Sequence, residues 1–193
     1  MRVAAGRRAA NRRESRVSGG TRVRLPDPCL VVLMGAAGAG KSTLAARLFA
    51  PEAILSSDAL RGVVAGDASD QGATRAAFSI LHRQLDRRLA AGRTTVVDAT
   101  NVTPYARRGL VRRATARGVP AVALVLDLDP NLVLAQNATR AGRIVPEAAV
   151  QRQLAELARS LRRGLDAEGF HAVHVIRTRA ELDELAIERA PEA

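Results

Sequence analysis

Residues 30–42 constrain the fold of this chain more than any other part of the sequence. Leu30–Met34 is a continuous apolar run, typical of a parallel strand that is buried on both faces. Residues 35–42 then read Gly-Ala-Ala-Gly-Ala-Gly-Lys-Ser, the Gly-x-x-x-x-Gly-Lys-Ser spacing of a phosphate-binding loop. In such a loop the glycines let backbone amides curl around phosphate oxygens at the start of a helix. The sequence therefore predicts a strand, a phosphate-binding loop and a helix in direct succession.

Lys41 is the only lysine of the chain, although lysine and arginine together number 30. A compact ammonium reaches between phosphates where a planar guanidinium does not fit, which explains a lysine at this position. We expect Lys41 to bind the β- and γ-phosphates of a nucleoside triphosphate, and Ser42 to ligate the Mg²⁺ that bridges them. The Asn-Lys-x-Asp pattern of guanine recognition would need a second lysine, so the sequence favours ATP over GTP.

Predicted strands and helices alternate along the rest of the chain. Short apolar or β-branched runs predict four more strands, at residues 53–55, 94–98, 122–126 and 171–176. Helical periodicity and caps predict helices at residues 41–49, 73–91, 105–117 and 147–165, one starting at Pro130, and one opened by the capping box of residues 178–181. This alternation predicts an α/β fold, a P-loop NTPase kinase-type three-layer sandwich with a five-stranded parallel sheet and a helical lid.

Positive charge is concentrated at the start of the chain. Residues 1–24 contain eight arginines and one acid, a net charge of +7 out of +11. This segment lacks apolar periodicity, so we predict a disordered tail before a folded domain at residues 25–193, with a lid at about 137–146. The tail is interpreted as a non-specific nucleic-acid contact, a solvated segment without a role, translated sequence upstream of the true start, or an organellar transit peptide.

Cysteine content and hydropathy bear on the compartment. The single cysteine, Cys29, excludes an internal disulfide and fits a reducing environment. No apolar run is long enough to span a bilayer. We therefore expect a cytoplasmic protein with no membrane partner.

An acidic and a basic side chain, Asp58 and Arg61, follow the second predicted strand in the segment Ser56-Ser57-Asp58-Ala59-Leu60-Arg61. Ligands of such folds bind at the carboxyl edge of the sheet, where Asp58 can take the proton from an attacking hydroxyl, a contribution of ~10²–10⁴ in rate. Arg61 shares a helical face with Asp58 and can bind the acceptor or the phosphate in transfer. The alternative is that Asp58 only caps a short helix beginning at Ala59.

The segment between the helices around residues 137–146 is rich in arginine. Small P-loop kinases close a lid over ATP at this place, and Arg140 and Arg143 can neutralise charge on the transferring phosphoryl group, worth ~10³–10⁵ in rate. The alternative is a solvated arginine surface. Four further arginines are interpreted as a solvated surface, with a basic acceptor groove as the alternative: Arg107, Arg108, Arg112 and Arg113.

Asp98 ends the third predicted strand and can bond Ser42 or hold a Mg²⁺-bound water, as Walker-B acids do. The alternative is that Asp98 and Asn101 cap the next turn. No second acid follows Asp98 to activate water, which favours transfer to an acceptor over hydrolysis. The three histidines show no metal-ligand spacing and are interpreted as structural or exposed residues: His82, His171 and His174.

Together these motifs resemble the 5′-OH polynucleotide kinases, most closely the kinase module of bacterial end-healing RNA repair proteins. The resemblance covers about Leu30 to Val175 and is co-linear. The matching pieces are Gly35–Thr43, Ser56–Asp58 with Arg61, Asp70-Gln71 before the helix with Phe78 to His82, Val97–Val102, and a lid with Asn137, Arg140, Arg143 and Val145–Glu147.

The resemblance implies a role for each matching residue. Asp58 is the general base, Arg61 bridges acceptor and transferred phosphate, and the product is a 5′-phosphorylated RNA or DNA end. The resemblance also implies that the lid residues Arg140 and Arg143 bind the phosphates of ATP. With the phosphate-binding loop, the predicted ATP-binding residues are Gly35, Ala37, Gly38, Ala39, Gly40, Lys41, Ser42, Thr43, Arg140 and Arg143; the predicted Mg²⁺ ligands remain Ser42 and Asp98.

Three departures from the family pattern bear on function. Gln136 stands where a lid arginine that helps hold adenosine is expected, which predicts altered nucleotide binding. Aromatics make up 2% of the chain, so a stacking platform for bases is largely missing, with Tyr105 and Val102 the nearby candidates. Little sequence follows the kinase region, so a complete repair role would need a phosphatase and a ligase on other chains. Two other functions stay open: a small-molecule P-loop kinase acting on a sugar, antibiotic or metabolite hydroxyl, and a non-catalytic ATP-binding regulatory protein.

Overall fold

The computed structural model of the chain describes residues 22–64, 71–140 and 144–191. The strands are β1 (Arg22–Asp27), β2 (Leu30–Met34), β3 (Ile54–Ser56), β4 (Thr95–Asp98), β5 (Ala121–Leu126), β6 (Ala172–Ile176) and β7 (Ala186–Pro191). The α-helices are α1 (Lys41–Leu48), α2 (Ser57–Val64), α3 (Gln71–Ala90), α4 (Pro104–Thr115), α5 (Pro130–Ala138), α6 (Glu147–Arg163) and α7 (Arg179–Glu184). Among the helices described, none is long and apolar enough to cross a membrane.

The central sheet contains five parallel strands in the order β3-β4-β2-β5-β6. The predicted five-stranded parallel sheet is thereby confirmed. Strands β2, β4 and β5 are buried along their whole length, because helices cover both faces of the sheet. The chain crosses from one side of β2 to the other between β4 and β5, so the carboxyl end of β2 lies at the switch point where such sheets bind ligands.

Two apolar layers lie on opposite faces of the sheet, and alternate residues of β2 point into each. Val31 and Leu33 pack into the layer that contains Leu44 of α1 and Leu182 of α7. The other layer holds the apolar residues of α3, α4 and the carboxyl half of α6, among them Leu81, Leu85, Leu89, Leu110 and Leu157. The predicted three-layer sandwich is confirmed.

A second sheet, which the sequence did not predict, joins the two ends of the described chain. Strand β1 pairs in parallel with β7, from Arg22 beside Ala186 to Asp27 beside Pro191. Val23 and Leu25 of β1 are buried in the core, while Arg22 and Arg24 face solvent. The tail boundary predicted at residue 24 is therefore wrong, because residues 22–24 belong to the fold. Residues 1–21 lie outside the described residues.

Candidate active site

The phosphate-binding loop has the predicted context, with β2 before it and α1 directly after it. Gly38 and Gly40 have φ angles of 87° and 88°, in the left-handed region that favours glycine. A Cβ at Gly38 would also lie 2.4 Å from the carbonyl oxygen of Val133, so a larger residue does not fit there. No side chain caps the start of α1 at Gly40, which leaves the first backbone amides of the helix to bind phosphate.

Lys41 is buried at the floor of the loop, with 8% of its surface exposed. Its Nζ donates a hydrogen bond of 2.8 Å to the carbonyl oxygen of Ala36. Burial lowers the pKa of Lys41 to about 8; the nearby Asp98 carboxylate opposes this shift and the Arg140 guanidinium adds to it. The ammonium therefore lies within electrostatic range of both the predicted metal ligand and a predicted lid arginine.

Ser42 and Asp98 are joined as a Walker-B pair predicts. The Ser42 Oγ, in the first turn of α1, donates to the Asp98 Oδ2 at the end of β4 over 2.7 Å. A hydroxyl and a carboxylate at this spacing fit Mg²⁺, which takes few protein oxygens and completes its shell with water and phosphate. The alternative of a helix cap is wrong, because Thr103 caps α4 and accepts a hydrogen bond from the Ala106 amide.

Asp58 lies in the first turn of α2, which begins at Ser57 and therefore two residues before the predicted start. Its Oδ1 accepts from Arg61 Nη2, and its Oδ2 lies 3.8 Å from Arg140 Nη2. The capping alternative is wrong, since the Ala59 amide donates to the Ser56 Oγ instead. About half of the Asp58 side chain, 52%, is exposed, which leaves it accessible to an acceptor. The predicted acceptor-side and lid arginines thus meet at one carboxylate.

The lid segment connects α5 to α6. Asn137 joins the two ends of this segment: its Nδ2 donates to the Val145 carbonyl at 2.7 Å, and its Oδ1 accepts from the Val145 amide at 3.2 Å. Arg143 and Asp70 lie outside the described residues, so the role predicted for Arg143 stays a prediction.

Two glutamine side chains contact the phosphate-binding loop. The Gln153 Oε1 of α6 accepts from the Ala37 amide at 2.8 Å. Gln136 of α5, placed in the orientation that satisfies both amide atoms, donates to the Gly38 carbonyl at 2.6 Å and accepts from Arg179 Nη1 at 3.2 Å. Gln136 therefore bonds the loop at the position where the resemblance leads us to expect a lid arginine. No local signal marks Gln153, and the sequence marked Gln136 only as a departure from the lid pattern, because both contacts join separate helices to the loop.

Arg107 corrects the interpretation of the arginines of α4. It is fully buried, with 0% of its surface exposed. Its guanidinium binds both carboxylate oxygens of Glu168, at 2.7 and 2.5 Å, and donates to Ser160 Oγ and the Asn101 carbonyl, each at 3.0 Å. A buried cation needs such partners, because desolvation is otherwise costly. Its spacing offered a signal, since residue 107 shares the apolar face of α4 with Leu110, Val111 and Ala114.

Asn101 transmits this contact to the nucleotide site. It has a φ of 47°, and its Nδ2 donates to the Leu33 carbonyl of β2 at 2.8 Å. Beside this contact, the Gly35 amide donates a hydrogen bond of 3.0 Å to the Thr100 carbonyl. Arg107 thereby holds the loop that follows Asp98 against the strand that carries the phosphate-binding loop. Arg108 and Arg112 of the same helix are exposed, in contrast to Arg107.

A family model described as an AAA domain, AAA_33, matches residues 30–161, which is more than half of the chain. The chain therefore belongs to the AAA_33 family. No curated protein sequence matches it significantly.

Solved structures agree on the fold. A chain in the structure of the Pnkp1/Rnl/Hen1 RNA repair complex has a TM-score of 0.62 at 19% identity, covering 72% of this chain and 47% of that one. A gluconokinase from Sinorhizobium meliloti 1021 has a TM-score of 0.53 at 21% identity, covering 83% and 88% of the two chains. A sugar kinase from Janibacter sp. HTCC2649 has a TM-score of 0.52 at 21% identity, covering 78% and 85%.

The chain spans about half the length of the RNA repair chain that it resembles. Family and fold together make it a P-loop kinase domain of the AAA_33 type, with the nucleotide-binding loop that this fold implies. The predicted resemblance to the kinase module of RNA repair proteins is confirmed at the level of family and fold.

Proposed function

We propose that this chain is an ATP-dependent kinase that transfers the γ-phosphate to the 5′-OH of a polynucleotide. The observation that carries the proposal is the contact of Asp58 with both Arg61 and Arg140. A base for a hydroxyl acceptor, two cations for a phosphoryl group and the Ser42–Asp98 pair lie at the same edge of the sheet. This combination fits phosphoryl transfer to a hydroxyl.

Each residue then has a step in the reaction. Lys41 and the loop amides bind the β- and γ-phosphates, and Ser42 with Asp98 would hold the metal. A magnesium ion held by these two residues would offset negative charge on the phosphates of ATP. Asp58 accepts the proton of the acceptor hydroxyl while the hydroxyl oxygen forms a bond to the γ-phosphorus. At the same time the bond between the γ-phosphorus and the β,γ-bridging oxygen breaks. ADP leaves, while Arg61 and Arg140 offset the charge of the transferring group.

A polynucleotide acceptor is supported by the co-linear motifs and by the likeness to a chain of an RNA repair complex. A second candidate, a small-molecule kinase acting on a sugar or metabolite hydroxyl, is favoured by a different observation. The gluconokinase and the sugar kinase match over 88% and 85% of their own lengths.

The test incubates the protein with Mg²⁺, γ-labelled ATP and 5′-OH RNA or DNA 10-mers, with gluconate in parallel tubes. We expect label on the oligonucleotides, no label on strands that already carry a 5′-phosphate, and none with the Lys41→Ala variant. Label on gluconate alone would replace the proposal with the small-molecule kinase. ATP binding without transfer to any acceptor would support a regulatory protein instead.

A further inference from the structure

One face of α4 combines an exposed aromatic ring with exposed arginines. Tyr105, the only tyrosine of the chain, is 88% exposed at the start of the helix. Arg108 and Arg112 follow at spacings that place them on the same helical face, and both are exposed. Gly109 lies between them with no atom within 4 Å of where a Cβ would stand, so this face is open.

The charge of this face is not balanced by acids. Residues 99–126 contain five arginines and neither aspartate nor glutamate. Arg107 is neutralised by Glu168, and Arg113 lies 3.6 Å from Asp86 of α3. Among the described residues, Arg108 and Arg112 take part in no ion pair, so their charge faces solvent.

The position of this face relative to the active site is set by the sheet. Strand β4 lies between β3 and β2, and α4 starts shortly after Asp98 at the carboxyl edge. Tyr105 therefore stands at the same edge as Asp58, which follows β3. Arg112 lies about 10 Å further along the helix axis, away from that edge.

We propose that this Tyr105 face, formed by Tyr105, Arg108 and Arg112, binds the single strand that continues beyond the 5′-terminal nucleotide. A base stacks on Tyr105, and phosphates contact the two arginines. Exposed aromatic rings beside a basic surface are the combination that binds single strands with little sequence preference. The inference rests on the proposed function and specifies its acceptor: a strand several nucleotides long binds better than a dinucleotide or a sugar.

Two variants test the face, Tyr105→Ala and the double variant Arg108→Gln/Arg112→Gln. With Tyr105→Ala we expect KM for a 5′-OH 10-mer to rise roughly ten-fold, the loss of one stacked base. The double variant should reduce the slope of log KM against log salt by ~1.4, since each phosphate contact on a single strand contributes ~0.7. KM for ATP and the rate with a 5′-OH dinucleotide should not change in either variant.

The matched control is Arg22→Gln/Arg24→Gln in β1, which removes the same charge. Both arginines are exposed, and β1 packs into the apolar layer on the opposite face of the central sheet from α4. The control should leave KM for the 10-mer and its salt slope near the wild-type values. An equal effect of the control and the α4 variants would overturn the proposal, because general charge would then explain binding.

Binding without catalysis separates this inference from the proposed function. Fluorescence anisotropy of a labelled 10-mer is measured with Lys41→Ala protein, with and without Tyr105→Ala. Affinity that falls about ten-fold with the tyrosine supports the face, even if no acceptor is phosphorylated. Normal phosphorylation of the 10-mer by both α4 variants overturns the face and leaves the proposed function standing. Absence of both binding and transfer overturns both.

Discussion

At the scale of single residues, the site depends on the burial of Lys41. The pKa of this ammonium is lowered to about 8, chiefly by desolvation, so the free protein loses the charge as the pH rises through 8 rather than near the ordinary 10.5. The phosphates of bound ATP favour the charged form and must raise that pKa. ATP binding and proton uptake are therefore linked above pH 8.

We predict that ATP affinity falls as pH rises from about 7.5 to 9.5, and that binding at pH 8.5 takes up a proton. Isothermal titration calorimetry in two buffers with different ionisation enthalpies measures the uptake directly. The Lys41→Arg variant, whose side chain stays charged, should bind weakly and without uptake. Equal heats for wild type in both buffers at pH 8.5 would contradict the buried, deprotonating ammonium.

For Asp58 we predict that Asp58→Asn lowers kcat by ~10²–10⁴, because the proposed general base is removed. KM for ATP should stay within about two-fold, since Asp58 is proposed to contact the acceptor rather than ATP. Steady-state kinetics with a 5′-OH oligonucleotide give both constants. The control Glu52→Gln changes an exposed carboxyl that precedes β3 and should have no effect. Unchanged kcat in Asp58→Asn would remove the residue from the mechanism.

Most of the candidate site residues were predictable because their chemistry follows from a local pattern. Lys41 and Ser42 belong to a motif of fixed spacing. Asp98 ends β4 and Asp58 follows β3, and the carboxyl ends of neighbouring parallel strands meet at one edge of the sheet. Arg107 was not predicted, although its spacing placed it on an apolar face. Its partner Glu168 lies 61 positions further along the chain, and only the tertiary fold brings the two together.

At the scale of secondary-structure elements, Arg107 fastens α4 to α6 and to the loop after β4. We predict that Arg107→Ala lowers the free energy of unfolding by about 3 kcal/mol, because buried polar partners lose their cation. The Mg²⁺ concentration for half-maximal activity should also rise, since the loop after Asp98 is released. Urea unfolding and a Mg²⁺ titration measure the two effects. The neighbouring exposed change Arg108→Ala should cost within ±0.5 kcal/mol; equal costs would show that the buried contacts contribute little.

The pairing of β1 with β7 is a second prediction at this scale. Leu25→Ala should cost about 2–5 kcal/mol, because Leu25 is buried in the core. Arg24→Ala, which breaks only an exposed ion pair with Glu188, should cost at most about 1 kcal/mol. Urea unfolding compares the two variants. A Leu25→Ala protein as stable as wild type would show that residues 22–27 are not packed into the folded domain.

The reason that this sheet escaped prediction is its length and the distance of its partner. The alternation of Arg22 to Leu25 is short and is continuous with an arginine-rich segment. Its partner strand lies 164 positions away, as the pairing of Arg24 with Glu188 shows. By contrast, β2 and β5 are continuous apolar runs and β4 is rich in β-branched residues, each beside a helical pattern, so each could be assigned from its own residues.

At the scale of the whole molecule, the strand order divides the site. The end of β3, with Asp58, and the end of β4, with Asp98, lie on one side of the phosphate-binding loop, while β5 and β6 lie on the other. The proposed acceptor site therefore lies on the first side, where α4 also begins. This division supports transfer to a hydroxyl presented beside Asp58, and the Tyr105 face extends from the same side.

A competition for one pool of ATP tests the central claim most directly. The full chain is given Mg²⁺, γ-labelled ATP, and a 5′-OH 10-mer with gluconate at equal molar concentration. The initial rate of labelling is measured for each acceptor, and the labelled strand is treated with phosphatase to show that the label is an end group. We predict that nearly all label enters the oligonucleotide and that phosphatase removes it. Label that enters gluconate in preference to the 5′ end would contradict the assignment of this chain as a polynucleotide kinase.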